Sequence, residues 1–109
     1  MAKSVIDSPI AKEELVWIRE DGSEVSVIAQ IGAPYQIGDV GWACPAELSG
    51  VDSQYPDIHG VSSMQAICLA ICLIKTRLGH LLDDNEVIYD FDDRTERWDR
   101  DRLNVVFAK

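Results

Sequence analysis

The sequence predicts an α+β domain: an antiparallel β-meander of four to five strands with one long helix packed across one face, a two-layer sandwich. Three observations predict it. Residues 25–31 alternate apolar and polar side chains, the period of a strand with one covered face. Asp21-Gly22 separates that stretch from the β-rich run Glu14 to Ile18, and glycine tolerates the positive φ that a hairpin turn needs. Residues 66–74 read AICLAICLI, two identical apolar tetrads with no charge between Gln65 and Lys75. A surface helix would carry polar residues on about half its turns. This one therefore predicts cover on more than one side.

The elements follow in order along a single domain, residues 1–109. Residues 1–12 form a frayed lead-in, polar and with one proline. Glu14 to Ile18 is the first strand, and Arg19 to Ser23 is the turn. In the second strand Val25, Val27, Ala29 and Ile31 share one face; Ile28 interrupts the polar set and predicts some cover on the other. A loop runs from Gly32 to about Asp39. The third strand, Val40 to Leu48, aligns Trp42, Cys44, Ala46 and Leu48. Pro45 lies inside it and has no N–H for a ladder, which predicts an edge position or a bulge. Residues 49–61 form a long irregular connection. Ser62 or Ser63 caps the main helix, and Ser62 has Gln65 at capping-box spacing. The helix extends to about Leu82, about 30 Å at 1.5 Å per residue. Ile67, Ile71, Ile74, Leu78 and Leu81 form its core stripe, and Ala66, Leu69, Ala70 and Leu73 a second one. Gln65, Thr76 and His80 mark its wettest line. Asp83-Asp84-Asn85 opposes the helix dipole, so packing is expected to set the stop. Glu86 to Phe91 is the fourth strand, Asp92 to Arg102 a solvated loop or short helix, and Leu103 to Ala108 a fifth strand.

Charge bounds the function classes. The net charge of −9 repels phosphate backbones and anionic lipid surfaces, which argues against a nucleic-acid or membrane partner. It favours encounter with a basic protein. The opening MAKSVIDSPI lacks the apolar core of a signal peptide, and the longest uncharged apolar run is about half of a membrane span. A cytoplasmic location is expected, where thiols stay reduced. The three cysteines (Cys44, Cys68, Cys72) contain no CxxC pair. Cys68 and Cys72 lie four apart on the helix, but structural zinc needs four ligands, and the expectation is three small buried hydrophobes, with no metal and no cofactor.

Four segments carry a resemblance: Ile31-Gly32-Ala33-Pro34-Tyr35, Gly41-Trp42-Ala43-Cys44-Pro45, Tyr55-Pro56-Asp57-Ile58-His59-Gly60-Val61, and Ser63-Met64-Gln65-Ala66. In these the chain resembles a small, uncharacterised bacterial protein family, over about two-fifths of its length. The resemblance implies a folded domain of unknown function, usually encoded alone. It transfers no catalytic or binding residue.

The candidate site residues come from chemistry alone. The loop Asp52 to Gly60 gathers a phenol (Tyr55), carboxylates (Asp52, Asp57) and an imidazole (His59) just before a helix, where loops often bind. Asp90, Asp92 and Asp93 add a carboxylate cluster suited to a basic partner. Cys44, beside Pro45 and aligned with Trp42, is expected to be buried with a raised thiol pKa, the opposite of an activated nucleophile. There is no glycine-rich phosphate cradle, GxSxG or HExxH, and no catalytic residue is assigned. The reading is a non-enzymatic protein-binding domain, similar to acidic immunity proteins or antitoxins that block a basic partner. The alternative is a homo-oligomeric scaffold or regulatory protein, a homodimer joined through Leu69 and Leu73 or through the edge strand at Pro45.

Overall fold

A computed structural model describes residues 6–108, which form two antiparallel sheets sharing one long helix, with a short helix near the C-terminus. The larger sheet contains β1 (Ala11–Ile18), β2 (Glu24–Ile31), β5 (Ala46–Ser49), β6 (Ser53–Gln54) and β8 (Val87–Asp90), in the order β6-β5-β2-β1-β8. The smaller contains β3 (Tyr35–Ile37), β4 (Gly41–Cys44) and β7 (Ile58–Gly60), in the order β3-β4-β7. The helices are α1 (Ser63–Asp83) and α2 (Arg100–Phe107). The predicted α+β class holds.

The β1–β2 hairpin follows its sequence signals. Gly22 takes φ +86°, Arg19 N–H donates to Ser23 O at 2.8 Å, and Asp21 accepts from the Ser23 N–H and hydroxyl. Register pairs Leu15 with Val27 and Glu13 with Ala29, so both members of each pair share the covered face. The lead-in is shorter than expected: β1 already includes Ala11 and Lys12, and Ile10 N–H donates to Ile31 O at 2.9 Å. Residues 1–5 of that lead-in lie outside the described residues.

Pro45 corrects the third strand. It marks neither a bulge nor an edge but the corner where the chain changes sheets. Cys44 pairs with Ile58 in the small sheet and Ala46 pairs with Ile31 in the large one, while the Pro45 carbonyl accepts from Gly32 N–H at 3.0 Å. A residue without an N–H is well placed where one ladder ends and another begins. The irregular connection expected at 49–61 also contains β6 and β7, and the loop expected at 32–39 contains β3.

Three of the four segments that carry the resemblance supply the strands of the small sheet, and the fourth opens α1. The fit is close because glycines remove side chains at the contact. A Cβ on Gly41 would meet Gly60 O at 2.6 Å, and one on Gly60 would meet Ala66 N at 2.6 Å. Ala66 is fully buried beneath.

Helix α1 is capped at both ends by local chemistry. Ser62 Oγ accepts from Gln65 N–H at 3.1 Å, and Gln65 Oε1 reaches back to Val61 N–H at 2.6 Å. At the other end Asn85 takes φ +62°, with Asn85 N–H donating to Leu82 O and Glu86 N–H to Leu81 O. This Schellman arrangement, rather than packing, stops the helix. The buried line is Ala66, Ala70, Ile74, Leu78 and Leu81; Ile67 and Ile71 are only half-buried. It packs against Leu15, Val27, Ala29, Ile31, Leu48 and Ile88 of the large sheet, with the small sheet over the first turns. By length and composition α1 could cross a membrane, although its buried line faces the sheets.

Leu103 to Ala108 is not a strand. Asp99 Oδ1 accepts from Arg102 N–H at 2.8 Å, capping α2. Leu103, Val106 and Phe107 then reach the core at i, i+3 and i+4, leaving Val105 exposed. The helix wins because the cap supplies its start and α1 supplies a surface for that face.

Candidate functional site

The acidic candidates gather where β8 and β1 meet α2. Asp90 pairs in register with Leu15, an inward position, beside the inward Glu13. Burial, and then the nearby Asp90 charge, raise the Glu13 carboxyl above its ordinary value. Asp90 accepts from Trp98 Nε1 at 3.0 Å and meets Arg102 Nη2 at 3.4 Å. The Arg102 guanidinium also lies over the Trp98 ring, 5.6 Å from its centroid. Glu13, Glu14, Asp90, Asp92, Lys12 and Arg102 line a shallow cavity of about 500 Å³ together with Phe91, whose ring is 48% exposed. Asp93 lies in the adjoining 330 Å³ cavity, which shares Asp90 and Arg102. It caps a turn through Thr95 N–H and hydroxyl, and these bonds hold its carboxyl below the usual range. Four carboxylates thus surround an open aromatic ring with two cations among them.

The loop candidates do not join this cluster, and they fall in three places: Asp52 with Tyr55 in one, Asp57 in a second and His59 in a third. Asp52 binds Arg77 of α1 in bidentate fashion, at 2.6 and 3.1 Å, and accepts from Tyr55 Oη at 2.6 Å. The Arg77 hydrogen bond is the main reason the Asp52 carboxyl lies below its ordinary value. Burial, then Asp52 itself, push the Tyr55 phenol upward. Arg77 also contacts His80 Nδ1 at 2.8 Å. The group holds the β5–β6 turn against the helix. Asp57 is 1% exposed and accepts from Tyr35 Oη at 2.5 Å, so it lies beneath the surface a partner would touch. His59 is exposed on β7, in register with Ala43.

Cys44 is buried as expected, its thiol directed to Gly32 O at 3.4 Å. Burial, then Asp57, push its pKa up to about 11. Cys68 and Cys72 contradict the expectation of burial and are exposed. At about 100° per residue they fall well away from the Ala66–Ala70–Ile74 line. Within the apolar stretch Ala66, Ala70 and Ile74 are buried, whereas Cys68, Leu69 and Cys72 are exposed, so the cover expected from its composition is incomplete. Val61 (80% exposed), Met64 (71%) and Leu69 (43%) share the open region, while Leu73 is half-buried. Beside the C-terminal end of α2, an apolar cleft of about 280 Å³ lies between Ala29, Ile31, Ile71, Ile74, Val106 and Phe107. Among the described residues no group of three or more His, Cys, Asp or Glu could hold a metal ion.

Sequence reasoning missed Glu13, Phe91, Trp98, Arg102 and Arg77. Continuing the β1 alternation back from Leu15 would have placed Glu13 on the covered face. Arg102, Trp98 and Arg77 join their partners only through tertiary folding.

The fold and surface define a small α+β domain built from two antiparallel sheets around one helix, with an acidic end. Residues 11–96 match a family described as a domain of unknown function (DUF6968), and the chain belongs to that family. No curated protein and no solved structure matches the chain.

Proposed function

We propose that this chain is a non-enzymatic protein-binding domain that receives a basic partner at its acidic end, in the manner of acidic immunity proteins and antitoxins. One observation supports the reading: Glu13, Glu14, Asp90 and Asp92 border the exposed Phe91 ring. A lysine or arginine from a partner would find carboxylates and an aromatic face together there. It would also relieve the repulsion between Glu13 and Asp90. The net charge of −9 would speed the encounter. Such a partner is a protein, not nucleic acid or a lipid surface, met in the cytoplasm.

The test is co-expression with a basic protein encoded beside this chain, with affinity measured at low and high salt. The expected result is a loss of affinity of about tenfold or more in high salt, and again in Phe91→Ala or Asp92→Asn. Affinity unchanged by salt and by both substitutions would refute the reading.

The second reading, a homodimer, draws on the open face of α1. Two copies of so acidic a chain repel, and Val61, Met64 and Leu69 offer an uncharged surface where they would meet with least cost. Light scattering after size exclusion decides it: Leu69→Glu converts such a dimer to a monomer. A wild-type monomer at high concentration excludes it.

A further inference from the structure

The thiols of Cys68 and Cys72 have no role in the reading above. Both are exposed, one helical turn apart, on a helix anchored from beneath by the fully buried Ala66 and Ala70. Their separation is therefore set by the helix. Side chains at i and i+4 place their Cβ atoms about 5–6 Å apart. A disulfide needs about 3.5–4.5 Å, so these thiols cannot join without unwinding a turn that the two alanines fix in place. A bridging ion changes the geometry. Two metal–thiolate bonds of about 2.3 Å span about 4.6 Å from sulfur to sulfur, which two thiols on adjacent turns reach by ordinary rotation.

We infer that Cys68 and Cys72 form a two-coordinate site for a soft, thiophilic metal ion of the Cu(I) class. The donor set selects the ion. Among the described residues no third His, Cys, Asp or Glu completes a metal cluster, so ions that demand four ligands or an oxygen shell are poorly served. Soft d10 ions accept two thiolates. Met64 continues the same line of the helix and is open, but side chains lean toward the helix N-terminus, so its thioether leans away from the pair. No charged side chain lies between Gln65 and Lys75 to compete, and the net charge of −9 attracts a cation. Binding is coordination without electron transfer: two thiols lose two protons to solvent, and the monovalent ion joins two thiolates. Cys44, enclosed in the core, takes no part.

The experiment uses the whole chain, anaerobic and reduced, titrated with Cu(I) against a competing chelator. One ion per chain is expected, with a rise in Tm, because the ion clamps one turn of the folded helix. Cys68→Ser and Cys72→Ser should each weaken binding about 100-fold or more, the gain from making the second bond intramolecular. Cys72→Ser combined with Leu73→Cys keeps the number of thiols but moves one off the line, and should bind as weakly as the single variants. Binding by either single variant at wild-type strength overturns the site. So does half an ion per chain with a doubled mass, which would place the ion between two copies.

Discussion

Replacing Gly60 with alanine tests the joint between the small sheet and α1. Gly60 does not take a positive φ, so its substitution isolates sterics from backbone strain. The new methyl would lie 2.6 Å from Ala66 N, 3.0 Å from Ala66 Cα and 3.1 Å from Gln65 C. Carbon contacts are comfortable at about 3.5–4.0 Å, so the overlap is about 0.5–1 Å. All three obstacles are backbone atoms, held in the first turn by the Ser62–Gln65 cap and the burial of Ala66. Relief requires moving the helix start or the strand. Overpacking costs about 1–3 kcal/mol, and an obstacle that cannot rotate away belongs at the upper end. About 3 kcal/mol corresponds to a Tm fall of about 12–15 °C for a chain of this size. Gly38→Ala is the control: its φ of +48° is strained for alanine, but nothing lies within 4 Å of the added carbon, so the loss should be about 1 kcal/mol. Calorimetry of both variants gives the comparison. If Gly60→Ala melted with the wild type, the close seating of β7 on α1 would be wrong.

Three further outcomes follow from the same geometry. Asp52 is held below its ordinary carboxyl value, so its pair with Arg77 stabilises the fold at neutral pH and ceases to do so as pH falls below about 4. Urea unfolding should show Asp52→Asn less stable by about 0.5–1 kcal/mol at pH 7, with the gap narrowing as pH falls below the ordinary carboxyl range; a constant gap would contradict the ion pair. Glu13 is shifted the other way, so ionising it costs stability as pH rises through its raised value, and Glu13→Gln should be more stable at pH 7 by up to about 0.5 kcal/mol and equal to wild type at pH 4. The reverse pH trend in the same urea assay would remove the proposed repulsion by Asp90. Trp98 is buried, bonds Asp90 through Nε1 and donates its backbone N–H to Ile88 O at 2.7 Å. Trp98→Ala should cost about 3–5 kcal/mol and expose amides of residues 92–99 to hydrogen exchange, whereas unchanged protection there would show that the ring does not hold the segment.

Local signals were legible wherever neighbours in sequence decide the outcome. The alternation of Val25 to Ile31, the Asp21-Gly22 turn and the Ser62–Gln65 cap each require only a few adjacent residues. Pro45 was legible as a break but not as a corner, because a missing N–H fits a bulge, an edge or a change of sheet equally well. Strands of two or three residues, such as β3, β6 and β7, are too short to show a period. Leu103 to Phe107 fits strand and helix spacing alike, and Asp99 outside that run settles it. Between Ala66 and Ile74 helix α1 is apolar on every side, so that stretch could not say that Cys68 and Cys72 face outward while Ala66 and Ala70 face in. Asp90, Asp92 and Asp93 were visible as a charge cluster. Phe91 lies between Asp90 and Asp92 in the sequence, but its exposure was not legible there; Glu13 and Arg102 become their neighbours only when β1 and α2 close over β8.

The closing of the large sheet has a consequence for assembly. Its β8 border has the Ile88 carbonyl already occupied by Trp98, and its β6 border is only two residues long and begins at Ser53 with φ +67°. Neither offers a straight run of free main-chain groups to template a foreign strand. The borders of the small sheet, β3 and β7, are three residues each, too short to seed fibrillar growth.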